Sequence, residues 1–423
     1  MSEFSFSGRA KNILFGAMGL GIFSLLLTWL GDDSFHTRFW SNILHNAVFF
    51  TGIAFMAAFF IAVCITAYAG WHTQFKRVWE SMASFMVPGL IMMVIIGLGV
   101  YFGWNHLYHW ADAESVAHDK ILQGKSSFLN RNWYLLGTII IVGAWILFAR
   151  KLRSLSLQED RSGGDSSYSH HNKMRFWAAI FLPIAGFSSA AIIWQWVMSV
   201  DAHWYSTLFA WYTGASWFVA MICMTILLLI YLKSKGYYEQ VTADHIHDLG
   251  KFLFAFSIFW TYLWFSQYML IWYGNIGEET VYFKHRMDHY PVLFYGNLFL
   301  NFLLPFFVLM RNDTKRKFGS VGFVALMVLF GHWIDFFLML KPGILHTVHE
   351  LSHHAHSHGE ELATVVDHTS HFEMGFTIPG LLELGTFIGF AAVFVFVVFN
   401  TLSKAALVPA NDPYLKESIH HHV

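Results

Sequence analysis

The sequence predicts an all-α polytopic membrane protein with about ten transmembrane helices, and three observations carry that prediction. Apolar residues make up 56% of the 423-residue chain and charged residues only 13%, where a soluble domain carries roughly a quarter charged. The apolar residues fall into long stretches divided by short polar ones, and about 20 helical residues are enough to cross a hydrocarbon core of about 30 Å. The chain also carries 44 Phe and 18 Trp, a load suited to buried faces and to belts at the membrane interfaces. Helix is the only open-ended structure for these stretches, because in lipid each backbone polar group needs a partner within its own segment.

The first stretch, Asn12 to Leu30, follows the polar lead MSEFSFSGRAKN and has no small-residue cleavage signature after it, so it reads as a retained span rather than a cleaved signal. The second and third run from Asn46 to Tyr68 and from Phe85 to Phe102. Trp133 to Phe148 is the shortest and is followed at once by Arg150, Lys151 and Arg153. Phe176 to Val200 and Ser206 to Leu232 are divided by the polar junction SVDAHWYS, and Phe252 to Tyr273 and Val292 to Met310 follow. Val321 to Leu340 and Ile378 to Phe399 complete the set. Pro183 and Pro305 interrupt two of these spans.

With ten crossings, 19 of the 26 Lys and Arg residues lie on the side of the two termini. The positive-inside rule then places both termini in the cytoplasm, and the chain reads as a multi-pass protein of a bacterial inner membrane. We read residues 1–423 as one integral membrane domain. Residues 149–175 form a cytoplasmic polar connection, and residues 341–374 a His-rich periplasmic loop. No repeat is evident. A net charge of −1 lacks the basic footprint of a nucleic-acid partner, and lipid is the expected surrounding. Cys64 and Cys223 both sit within apolar runs, and no CxxCH motif occurs. Covalent haem, an iron–sulfur cluster and a cysteine zinc site are therefore not expected in this chain.

Residues 341–374 hold His346, His349, His353, His354, His356, His358, His368 and His371. His349, Glu350 and His353 even satisfy H-E-x-x-H, a zinc pattern when it lies on a helix. No third ligand stands at a diagnostic spacing. The segment is therefore read as a solvated, partner-facing loop, with no metal assigned.

Ionisable residues inside the spans are the stronger signal, since a charge at the bilayer centre costs about 3 kcal/mol even on insertion scales. These are His332 and Asp335 in GHWIDFF, Glu383 in PGLLELG, and His45. His332 and Asp335 are i,i+3 on one helix, and Glu383 enters the next span at a similar depth. The three are expected to form one protonatable cluster toward the outer side, accepting or relaying protons. A plain helix clamp is the alternative. Bis-histidine haem b is a weaker fit, since His45 with His332 offers at most one pair. Near the outer interface lie Asp201, His203 and Tyr205, with Gln267 and Trp272 in SQYMLIWYGNIGEE. A quinone ring could stack among these, although an aromatic belt accounts for the last stretch equally well.

SVDAHWYSTLFAWYTGASWFVA, with DLGKFLFAFSIFWTYLWFSQYMLIWYGNIGEETVYFKHR, resembles the quinol-binding membrane subunits of bacterial alternative complex III. These belong to the NrfD-like superfamily with the polysulfide reductase membrane anchor. Within it the chain is most similar to the ActF-type subunits, the second quinone-binding subunits of quinol:cytochrome c oxidoreductases, and the similarity covers most of its length. The resemblance implies two four-helix bundles plus a peripheral pair, with no prosthetic group. It also implies as partners a paralogous NrfD-like membrane subunit, periplasmic iron–sulfur and multihaem cytochrome c subunits carrying the clusters and haem c, and a terminal oxidase in some assemblies. The substrate would be a quinol such as menaquinol, with the productive pocket in the paralogous subunit. Two other functions stay open: a proton-coupled secondary transporter, and a purely structural membrane anchor for periplasmic redox subunits.

Overall fold

The computed structural model of the chain describes residues 3–164, 167–357 and 375–422. Ten helices are long and apolar enough to cross a membrane: Gly8–Leu30, Thr37–Thr66, Thr73–Phe102, Arg131–Arg161, Ser169–Val200, Leu208–Ser234, Ala243–Gly274, Pro291–Leu309, Phe318–Leu351 and Leu381–Leu402. We number them spans 1 to 10. Among the described residues there is no strand, only an isolated bridge between Glu3 and Ala406. The chain is a multi-pass, all-α membrane protein.

The spans sort into two bundles and a pair. Spans 2 to 5 pack around one another, as do spans 6 to 9, and spans 2 and 6 join the bundles. Those two joining helices are the most enclosed, at 89% and 83% buried over their apolar windows, which accounts for their being apolar all round. Spans 1 and 10 lie together outside, against spans 2 and 3. Their contact is close enough that a Cβ on Gly21 would sit 2.6 Å from Gly389 Cα, while Ser24 fills the space beside Gly385. Small residues let two backbones meet in a solvent that gives no hydrophobic drive for helix pairing.

Several helices run past the apolar stretches that marked them. Span 4 continues to Arg161 and span 5 begins at Ser169, so most of the expected 149–175 connection is helical. The helix containing span 9 runs from Phe318 to Ser357, so residues 341–350 are not a loop, and Lys341 is fully buried. Pro342 lies inside this helix, where proline removes an N–H and crowds the carbonyl four residues back, here that of Leu338. The structure supplies that carbonyl with another donor: Arg286 Nε lies 2.9 Å from Leu338 O. The helix therefore passes through Pro342 without leaving the carbonyl orphaned. His353, His354, His356, His358, His368 and His371 lie outside the described residues or have side chains outside them.

On the side of the termini, buried ion pairs tie the helix ends together. Lys76 Nζ lies 3.0 Å from Asp412 Oδ2, and Arg77 bonds both Glu80 Oε2 at 2.6 Å and Asp160. The C-terminal tail folds back on this face, with His245 Nε2 3.0 Å from Ser418 O and His421 Nε2 2.6 Å from Asp248 Oδ2.

Candidate functional site

Asp335 sits in the middle of the second bundle with no exposed surface. Span 9 carries it, and three neighbouring spans aim donors at its carboxylate. Tyr212 of span 6 donates its hydroxyl to Oδ1, Asn297 of span 8 donates Nδ2 to Oδ1 at 2.8 Å, and Trp260 of span 7 donates Nε1 to Oδ2 at 3.0 Å. A carboxylate only accepts hydrogen bonds, and all of its protein donors here are neutral. His332, one turn back, places Nδ1 4.0 Å from Asp335 Oδ2 and 2.8 Å from Ser216 Oγ. Its Nε2 is buried and has no hydrogen-bond partner.

Local structure sets this geometry. Span 8 contains a π-helical turn, Phe299–Leu303, directly before Pro305. Pro305 has no N–H for the Asn301 carbonyl and its ring crowds that oxygen, and a wider turn relieves both. The same segment extends a side-chain chain from Asp335 toward the side of the termini, since Asn301 Nδ2 donates to Asn297 Oδ1 at 2.6 Å. Gly331 makes the approach possible: a Cβ there would stand 2.2 Å from Asn301 Oδ1.

Glu383 does not join this cluster, which corrects the expectation that Asp335, His332 and Glu383 act together. Arg38 of span 2 grips Glu383 with both arms of its guanidinium, Nε to Oε1 at 2.7 Å and Nη2 to Oε2 at 2.9 Å. Asn42 Nδ2 adds a bond at 3.1 Å, and the Gly380 amide donates to Oε2 at 2.9 Å, so Glu383 also caps its own helix. Lys341 stands beside it, bonded to Ser41 Oγ and Asn42 Oδ1, each at 2.6 Å. Glu383 shares Asn42 with Lys341, which lies six residues past Asp335 on span 9, and span 10 packs on spans 1 and 2 while span 9 faces span 6. Azimuth decides contact as much as depth does. His45 is committed elsewhere too, with Nε2 2.9 Å from Trp333 O.

The five residues proposed for a quinone do not line one pocket. Asp201 pairs with Arg286 Nη2 at 2.8 Å. Gln267 faces a cavity of about 20 Å³ with Tyr212, Tyr282, Arg286 and Asn297, space for about one water. Its Nε2 is buried without a hydrogen-bond partner. Tyr205 instead lines a separate pocket of about 230 Å³ with Lys125, Phe128, Trp194, Met198 and Trp204. His203 turns to the far surface, where its Nε2 meets Asp119 Oδ2, and Trp272 stands 60% exposed on span 7. The residues sequence reasoning missed are Tyr212, Asn297, Trp260 and Arg286. Only Arg286, a charge next to a span, carried a signal that would have found it.

No family model matches the chain, and no curated protein matches it. Fold and site define a class all the same: a polytopic helical membrane protein whose second bundle closes on one carboxylate held by uncharged donors.

Proposed function

We propose that this chain is the membrane subunit of a quinol:cytochrome c or quinol:oxidase oxidoreductase of the alternative complex III kind, and that its own part is to take up protons and deliver them to the outer side. Both termini then face the cytoplasm of a bacterial inner membrane. Quinol oxidation gives quinone, two electrons and two protons. The electrons go to iron–sulfur and haem c groups of partner subunits, and the protons need an acceptor that can lose them again.

The observation that carries this reading is the uncharged setting of Asp335. An acid locked to an arginine stays ionised, whereas one held by Tyr212, Asn297 and Trp260 can take a proton without breaking an ion pair. From Asp335 the path outward is short. Tyr212 and Asn297 touch the carboxylate and also line the water-sized cavity. Arg286 lines it as well, and Arg286 holds Asp201, whose side chain is 23% exposed. Tyr212 can pass a proton through its hydroxyl by accepting one and releasing another, and a water in the cavity can take it on toward the outer face.

Purification in mild detergent tests the assembly: c-type haem and iron–sulfur subunits are expected to accompany the chain, and a monomer free of redox partners sinks this reading in favour of a transporter. Cysteines placed at Ser126 and Ser162 test the orientation. Reagent confined to the outside is expected to label the Ser126 position alone, and the reverse pattern inverts the topology.

A further inference from the structure

On the face opposite the termini, three side chains from segments distant in sequence converge. They are His109 from the segment linking spans 3 and 4, His203 from the junction after span 5, and Glu350 from the far end of the span 9 helix. One ligand atom from each lies within 4.8 Å of the others. His109 is 6% exposed, and neither of its ring nitrogens makes a hydrogen bond, although Nδ1 stands 3.2 Å from Glu350 Oε2. A buried imidazole in that condition ordinarily finds a partner. Burial pushes His109 below its ordinary range, against the pull of Glu350, and a neutral imidazole is the form that ligates a metal.

From this convergence we infer that His109, His203 and Glu350 form a binding site for a divalent transition ion of the zinc class. The donor set, two imidazoles and one carboxylate, suits zinc with water in the fourth position. Tetrahedral zinc at about 2.0–2.1 Å from each ligand spaces its donors about 3.4 Å apart, so the three groups need to close by little more than 1 Å. Asp119 supplies the outer shell. In the tautomer in which His203 Nε2 donates to Asp119 Oδ2, the other ring nitrogen keeps its lone pair for the ion, the carboxylate–histidine–metal arrangement. Burial pulls the Asp119 carboxyl upward, but the His203 bond and the amides of Leu122 and Ile121 outweigh it and hold it below its ordinary value. The ion would clasp three outer segments distant in sequence.

The experiment uses the full chain in whatever complex it purifies with, stripped with chelator and titrated with Zn²⁺ against a chromophoric chelator. One tight equivalent is expected. His109→Gln and His203→Gln should each weaken it by more than about 100-fold, and Asp119→Asn by about 10-fold to 100-fold. A variant with His353, His354, His356 and His358 replaced by Asn, and another with His420, His421 and His422 replaced by Ala, should keep it. If no tight equivalent is found, or if it survives His109→Gln and His203→Gln and disappears with the histidine tract, the site does not exist. X-ray absorption of the unsubstituted protein gives a reading independent of the folding of any variant. A zinc shell of two imidazoles with oxygen donors supports the site, and a shell of three or more imidazoles overturns it.

Discussion

Asp335 and Glu383 are both carboxylates buried in consecutive spans, in the half of the protein facing away from the termini, yet the fold treats them in opposite ways. Glu383 is neutralised by an arginine fork, an asparagine and a backbone amide, with Lys341 a few ångströms further on. Asp335 meets a phenol, an indole and an amide, with the His332 imidazole 4.0 Å away. The first arrangement stores a fixed charge pair that ties span 10 to span 2. The second holds its carboxylate with uncharged donors alone. On the proposed reading, it is the charge of the partners that separates a clamp from a proton site.

Breaking the clamp should have the largest effect. Arg38→Leu strands a carboxylate that is 1% exposed, and removing one partner of a buried ion pair costs about 3–5 kcal/mol. The variant should lose yield and thermal stability in detergent, and the double variant Arg38→Leu with Glu383→Leu should recover much of both. A single variant as stable as the parent would mean that Lys341 alone satisfies Glu383.

Asp335→Asn sharpens the contrast from the other side. It keeps the shape but cannot titrate, and it loses one of the three bonds because its amide nitrogen cannot accept, so the complex should assemble with a modest loss of stability while quinol-driven proton release falls by about tenfold or more. Full turnover and proton release from about pH 6 to about pH 8 would falsify the role of Asp335. Glu383→Gln is the matched control, with the expected loss in stability rather than in proton release.

Tyr212→Phe removes one donor from Asp335 together with the hydroxyl that joins it to the cavity. A single hydrogen bond to a charged group contributes about 1.5–3 kcal/mol, and a modest stability loss is expected. Turnover should fall by a smaller factor than in Asp335→Asn, since removing the hydroxyl opens room for a water between the carboxylate and the cavity. A turnover unchanged in Tyr212→Phe would show that the proton does not pass through the Tyr212 hydroxyl.

The smallest effect concerns Asp32, in the turn between spans 1 and 2. Burial and the neighbouring Asp33 push its carboxyl up to about 7, against the amides of Phe39, Asp33 and Arg38. Its folded state thus binds a proton that the unfolded chain releases near pH 4. The stabilisation is complete below about pH 4 and is lost as pH rises toward 7. Asp32→Asn should flatten the fall in melting temperature between pH 5 and pH 8 by a few degrees. An unchanged slope would show that Asp32 is ionised throughout.

The number and order of the spans were legible in the chain because lipid imposes a length and an apolarity on every crossing, and both are local properties. The pairing of His332 with Asp335 was legible for the same reason, since i,i+3 on a helix is a local relation. Glu383 was misjudged because depth can be counted along a helix, whereas the facing of span 10 toward spans 1 and 2 depends on the Gly21 and Gly389 contact. The helix through Pro342 was likewise hidden, because the donor that rescues the Leu338 carbonyl comes from Arg286, 52 residues away. His109, His203 and Glu350 make the case most plainly. Glu350 lay in a recognisable zinc pattern, and the absence of a third ligand nearby in sequence argued against it. Its partners lie on segments far away in the chain, and only the packing of two outer connections against the end of the span 9 helix brings them within reach. Apolar length and helical period are written residue by residue, so the sequence alone determined the spans. Which side chains meet between them depends on how each helix is turned, and only the tertiary packing decided that.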